Sequence, residues 1–166
     1  MGKHLVQLLA HSGAKVSVTT RAQRPSSSNI AYIQGNAKED GFLDQLLASR
    51  WDAIVDFMVY TTPVFEQRAA KLLAATKQYV FLSSGRVYAD SLEPIQDDAA
   101  RLLDSSNDAE FLSTDEYSLA KARQEDVLRQ SGHRNWTIIR PYITYSEERL
   151  QLGVLEKEDW LYRALN

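Results

Sequence analysis

What most limits the fold of this chain is a repeated change of hydrophobic period. Short apolar runs that read as strands exchange with stripes spaced as on a helix along most of its length. Leu5, Leu8 and Leu9 fall at helical spacing, and Ser12-Gly13 reads as a helix stop. Residues 15–20 alternate with Val16 and Val18 on one face, residues 21–29 are a polar loop around Pro25, and residues 30–34 form a second strand closed by Gly35-Asn36. Phe42, Leu43, Leu46 and Leu47 give the next helical stripe. The pattern then repeats. Residues 53–58, interrupted by Asp56, read as a strand, and Pro63 sits in the first turn of a helix striped by Phe65, Ala69, Leu72 and Leu73. Residues 79–82 read as a buried strand, 85–114 as a long polar segment, 117–130 as a helix, 136–139 as a strand stopped by Pro141, and 157–165 as a last helix.

Helices alternating with short apolar strands predict an α/β domain with a parallel sheet covered on both faces. A length of 166 residues suits one domain. The chain opens on a helix, whereas a doubly wound domain opens on a strand in mid-sheet.

Composition narrows the function classes. With 44% hydrophobic residues the chain can build a core, and a net charge of −3 without basic runs argues against nucleic-acid binding. No apolar stretch approaches the roughly 20 residues that cross a bilayer, so no membrane partner is expected. Cysteine is absent, which removes disulfides, thiol nucleophiles and thiolate metal sites. Residues 1–5 lack a secretory pattern, and the expected compartment is the cytoplasm. His4, His11 and His133 are the only histidines and none has metal-ligand spacing with a carboxylate, so no metal is expected. Neither a Gly-x-Ser-x-Gly elbow nor a Gly-x-x-x-x-Gly-Lys-Ser/Thr loop occurs.

Candidate chemistry centres on Tyr117 and Lys121, four residues apart and so one turn apart on one helix face. An ammonium beside a phenol favours the ionised phenol and makes Tyr117 a candidate general acid/base. Taken alone such a pair is commonplace; its surroundings give it weight. Ser113-Thr114-Asp115-Glu116 offers a capping box that places Tyr117 in the first helical turn. The 79–82 strand runs into Ser83-Ser84-Gly85-Arg86-Val87-Tyr88, which puts serine hydroxyls at a strand's carboxyl end, where open α/β sheets bind ligands. The 136–139 strand leads into Arg140-Pro141-Tyr142-Ile143-Thr144-Tyr145.

A strand ending in Ser-Ser-x-x-Val-Tyr, then Tyr-x-x-x-Lys, then Arg-Pro-x-x-x-Tyr resembles the extended short-chain dehydrogenases/reductases, in their NAD(P)-dependent epimerase/dehydratase branch. All three motifs stand in the family's order, at residues 83–88, 117–121 and 140–145. The resemblance implies a Rossmann-like doubly wound parallel sheet. It also implies one incomplete domain over 1–166, lacking the first strand and most of the substrate-binding region, in a fragment of a longer parent or a chain begun at the wrong methionine. The implied activity is hydride transfer between NAD(P) and a nucleotide sugar or related hydroxyl or carbonyl substrate, by an epimerase, dehydratase or reductase. The alternative is a non-catalytic dinucleotide-binding or regulatory module, or an inactive fragment. A homodimer through a helix bundle that includes the Tyr117 helix is the implied assembly.

The resemblance also assigns roles. Tyr117 is the expected acid/base, Lys121 its activator and a ligand of the nicotinamide ribose, and Ser84 the hydrogen-bond donor to the reacting oxygen. Pro141, Tyr142 and Ile143 match the segment lining the nicotinamide pocket, and Phe57 and Met58 border the cofactor cleft, although both also read as core. Of the family's three pyrophosphate-turn glycines only Gly2 stands here, at the start of the first helix. Arg21, with Arg24 nearby, occupies the ribose-reading position and favours the 2′-phosphate of NADP, with NAD as the alternative. Asn36 stands against the adenine edge, where the family has an aspartate.

Overall fold

A computed structural model describes residues 1–142 and 144; Ile143, Tyr145 and the helix expected over 157–165 lie outside the described residues. The chain starts with α1 (Gly2–His11), which stops at Ser12-Gly13, where Gly13 has φ 88°. That left-handed conformation is open to glycine because it has no Cβ to clash. Strands β1 (Val16–Thr20) and β2 (Ile30–Gln34) follow, joined without a helix. The loop folds back along β2, with Ser26 Oγ accepting the Tyr32 N–H at 3.0 Å.

At Gly35 a Cβ would stand 2.1 Å from the Phe42 ring, so only glycine lets that ring lie against the strand end. Phe42 belongs to α2 (Asp40–Leu47), which leads to β3 (Trp51–Asp56), α3 (Thr62–Ala74) and β4 (Thr76–Leu82). Both β3 and β4 begin earlier than their apolar runs. Polar Thr76 enters β4 because its hydroxyl donates to the Trp51 carbonyl at 3.1 Å, a tertiary partner that periodicity does not reveal. The polar segment contains a 3₁₀ turn (Gly85–Val87), α4 (Leu102–Ser105) and α5 (Ala109–Ser113). Last come α6 (Tyr117–Gln130) and β5 (Trp136–Ile139), both with the bounds read from the sequence.

The expected capping box at residues 113–116 does not form. Ser113 Oγ donates to the Glu110 carbonyl and Thr114 Oγ1 to that of Phe111, so both hydroxyls close α5. Glu116 caps α6 instead, its carboxylate accepting the Ser118 N–H at 2.7 Å and the Ser118 hydroxyl.

All described strands pair in parallel, in two groups: β1 with β2, and β3-β4-β5 in that order. Among the described residues no strand hydrogen-bonds β1 to β3. Tyr79 and Phe81 of β4 point to one face, where they meet Phe65, Ala69, Leu72 and Leu73 of α3 and Leu128 of α6. Ile54, Trp136 and Ile138 extend this core across the sheet, and Leu43 joins it from α2. The other face, carrying Val55, Val80 and Leu82 half-buried and Ile139 exposed, is less covered among the described residues than the two-sided expectation. Side chains of α3 help tie the β1-β2 side to the core. Buried Arg68 of α3 donates to the carbonyls of Ala37 and Lys38 and pairs with Asp40 at 2.7 Å, and Lys71 pairs with Asp44. No described helix is long and apolar enough to cross a membrane.

Helix α1 buries none of its residues, and Leu8 is 67% exposed. Replacing Leu72, which is 2% exposed, with alanine should therefore cost about 2–5 kcal/mol, the price of a core cavity. Leu8→Ala should change stability by less than about 0.5 kcal/mol. Urea unfolding of the two variants measures the contrast; equal losses would mean that α1 shares the core.

Candidate active site

Within each parallel group the strands place their carboxyl ends along one edge, and more than half of the residues singled out from the sequence lie just past such an end. Arg21 follows β1, Asn36 follows β2, Phe57 and Met58 follow β3, Ser83 and Ser84 follow β4, and Pro141 and Tyr142 follow β5. Gly2 opens α1, and a Cβ there would lie 3.8 Å from the Phe57 ring, which brings the helix start to the end of β3.

Ser84 is buried and caps the 3₁₀ turn, its Oγ accepting the Arg86 N–H at 3.2 Å. Its hydroxyl proton has no acceptor among the described residues. Tyr117 stands at the start of α6 and is 37% exposed, with the Arg86 guanidinium 5.7 Å from its ring centre. Lys121, one turn on, is almost wholly buried. Its Nζ donates to the Leu82 carbonyl at 2.8 Å and sits 4.5 Å from the Phe81 ring centre. No hydrogen bond joins Lys121 to Tyr117 among the described residues. Burial pushes the Lys121 ammonium below its ordinary range, against the opposing pull of Asp56 and Glu125.

The cofactor candidates divide. Arg21 and Arg24 are exposed; Arg24 lies 5.9 Å from the Tyr32 ring centre, and the Arg21 carbonyl accepts from Gln34. Asn36 already serves the turn into α2: its Oδ1 accepts the Lys38 N–H and its Nδ2 donates to Glu39, both at 3.1 Å. Phe57, read also as core, is 42% exposed because it lies past the strand end, whereas Met58 packs on the core. The Pro141 carbonyl accepts the Gly85 N–H at 2.8 Å, and Tyr142 is exposed. Gly85 permits this close approach, since a Cβ there would meet the Tyr142 ring at 2.7 Å. His4, His11 and His133 are exposed, and no cluster of three metal-ligating side chains occurs among the described residues.

Two acids that sequence reasoning passed over organise this edge. Asp56 is buried at the end of β3, with Tyr60 and Tyr79 hydroxyls donating to Oδ2 at 3.0 and 2.7 Å and the Met58 N–H to Oδ1 at 2.8 Å. Burial raises the Asp56 carboxyl above its usual range, although these donors and Lys121 oppose the rise. The break Asp56 makes in an apolar strand was its one visible signal.

Glu125 is fully buried on α6. Its carboxylate accepts Ser83 Oγ at 2.6 Å and both arms of the Arg140 fork at 2.8 and 2.7 Å, with Arg129 at 3.2 Å and Arg101 at 3.5 Å. Burial alone would raise this carboxyl; the hydrogen bonds from Arg140 and Ser83 and the charges of Arg140 and Arg129 outweigh it and hold Glu125 below the usual carboxylate range. Glu125 stands one turn beyond Lys121, a spacing that could have flagged it.

With this geometry in view, the likeness to known proteins can be placed. The NAD(P)H-binding family model NAD_binding_10 matches residues 1–162. The chain belongs to this NAD(P)H-binding family. Its fold is Rossmann-like, as in MoeE5 solved with UDP-glucuronic acid and NAD, at a TM-score of 0.59 and 18% identity over 82% of this chain and 48% of that one. MoeE5 solved with UDP-glucose and NAD matches at 0.53 and 20% identity over the same shares. The epimerase Mth375 of Methanothermobacter thermautotrophicus matches at 0.62 and 19% identity, over 84% of this chain and 47% of that one. The chain thus spans about half the length of these proteins, and at such identities the likeness is one of fold. No curated protein matches it.

Because the folded state holds the Glu125 carboxyl below its ordinary value of 4.5, ionised Glu125 stabilises the fold above that value, and the contribution fades as pH falls through the lower folded value. Glu125→Gln leaves three guanidinium groups around an uncharged amide and should cost about 3–5 kcal/mol at neutral pH. Unfolding measured from about pH 7 to pH 3 should show a shallower acid loss in the variant than in the parent. Parallel curves would show that Glu125 does not carry this linkage.

Proposed function

We propose that this chain is the cofactor-binding and proton-transferring part of an NAD(P)-dependent enzyme that acts on a nucleotide sugar, as an epimerase, dehydratase or reductase. The observation carrying this reading is that Lys121 of α6 bonds the Leu82 carbonyl, two residues before Ser84, while Arg86, two residues after Ser84, lies 5.7 Å from the ring centre of Tyr117.

The residues present fit a dinucleotide. Helix α1 opens at Gly2 with no side-chain cap from Met1, and a helix N-terminus is the kind of site at which a pyrophosphate binds. Exposed Arg21 and Arg24 suit a 2′-phosphate and favour NADP over NAD. Phe57, past the end of β3 and near Gly2, and Pro141 and Tyr142, past the end of β5 and against Gly85, would line the nicotinamide end, while Met58 packs on the core. When bound, the nicotinamide supplies the hydride acceptor and donor.

The remaining chemistry falls to the chain. Tyr117, 37% exposed, takes the proton from a substrate hydroxyl, or returns it to a carbonyl, at its phenol oxygen. Ser84 donates its unpaired hydroxyl proton to the same substrate oxygen and fixes its position. Lys121, one turn from Tyr117 and anchored on the Leu82 carbonyl, would supply the positive charge that favours the ionised phenol and would donate to the nicotinamide ribose.

A second reading is a binding module without turnover, favoured by the edges of β1 and β3 that no described strand pairs. Titrating the chain with NADPH and NADH while following nucleotide fluorescence, then assaying UDP-sugar conversion, separates the two. Tyr117→Phe should lower turnover by roughly 10²–10⁴-fold with cofactor affinity nearly unchanged. Arg21→Ala should weaken NADPH binding and leave NADH binding the same. Cofactor binding without turnover in the parent chain would favour the module, and no binding of either nucleotide would defeat both.

A further inference from the structure

We propose that Arg86 makes this site selective for a substrate bearing a carboxylate next to the reacting carbon, a sugar acid rather than a neutral sugar; this rests on the catalytic reading of Ser84 and Tyr117. Arg86 is the middle residue of the 3₁₀ turn, and its N–H bonds Ser84 Oγ, which fixes its backbone two residues from the hydroxyl that would hold the reacting oxygen. From there its side chain crosses to Tyr117, with the guanidinium 5.7 Å from the ring centre. A substrate oxygen shared by Ser84 and Tyr117 therefore presents its neighbouring substituent to Arg86.

The other arginines around this edge are committed to the fold. Arg140 clasps Glu125 and the Asp97 carbonyl. Arg101 holds Asp104, Asp126 and the Ala122 carbonyl, and Arg123 holds the carbonyls of Leu112 and Thr114. Arg86 differs, with a side chain 69% exposed and one acceptor, Glu116 Oε1, at 3.3 Å. That distance is long for a charge-assisted bond, and a guanidinium has five N–H donors in a planar fork. Glu116 is in turn engaged through its other oxygen by its capping bonds to Ser118. The result is a cation placed over the candidate acid/base with most of its donors lacking a protein partner among the described residues. A planar carboxylate matches that fork at two points.

A nucleotide sugar carries oxyanions in two places, the pyrophosphate and any acid group on the sugar. Proximity to Tyr117 favours the group beside the reacting carbon. UDP-glucuronate and UDP-glucose share the pyrophosphate and differ in the carboxylate, so the ratio of their kcat/KM values isolates it. Arg86→Gln should lower that ratio by roughly 10–100-fold, as loss of a charge-assisted hydrogen bond does, and Arg86→Lys should recover only part of it. Circular dichroism should show both variants folded, since the side chain lies largely in solvent.

Equal losses on both sugars would overturn the proposal and reassign Arg86 to the pyrophosphate or to holding Tyr117. No change in either kcat/KM value would overturn it as well. If the parent chain turns over neither sugar, calorimetric affinities of the same two UDP-sugars for the parent and Arg86→Gln make the same comparison. Selective loss for UDP-glucuronate would then support the carboxylate contact while the catalytic reading fails on its own, and a parent that binds neither sugar overturns both.

Discussion

The buried carboxylate of Glu125 is the interaction on which the candidate site depends. Through Ser83 it fixes the end of β4, through Arg140 the end of β5, and through Arg101 the polar segment, all from one turn of α6. Removing a carboxylate from water is costly, and the cost is tolerable here because the Arg140 fork and the Ser83 hydroxyl occupy both oxygens. Arg140 also stacks on Tyr88, 4.6 Å from its ring centre, and so carries the constraint into the loop after the 3₁₀ turn. Ser84, Pro141 and the α6 residues hold their places because their immediate neighbours are tied to this single group.

Much of the fold is legible in the sequence because burial on one face of an element leaves a period. The α3 stripe of Phe65, Ala69, Leu72 and Leu73 and the pair Tyr79 and Phe81 are core residues in the structure. The strand-end position of Ser84, Arg21 and Phe57 follows from the same reading, since parallel strands all finish on one edge.

What stays hidden are polar residues whose partners lie far along the chain. Asp115 reads as part of a local capping box, yet its carboxylate caps α3 by accepting the Thr62 N–H and hydroxyl at 2.9 and 2.6 Å, across 53 residues. Arg68 looks like a solvated helix charge and is instead buried against the Ala37 and Lys38 carbonyls, some 30 residues upstream. Glu125 is hidden in large part for the same reason, since Ser83 and Arg140 lie 42 and 15 residues away. No local pattern states that a charge is buried; only the partners that make burial tolerable do, and the fold brings them together.

The two ends of the proposed reaction consequently rest on supports of unequal strength. Ser84, Tyr117 and Lys121 are held by β4, β5 and α6, with the α3 core beneath them and Glu125 beside them. Gly2, Arg21 and Asn36 stand on α1, β1 and β2, a side joined to the core chiefly by Arg68, Lys71 and Leu43 and carrying a helix with no buried residue. Local opening begins where buried apolar contacts are few, so the β1-β2 side should open at lower free energy than the three-stranded sheet. A ligand that bridges the two sides gains from ordering the weaker one and pays for that order in affinity. On the proposed function, the candidate proton-transferring residues are set before any such ligand arrives, and it is the candidate cofactor end that has to be brought to them.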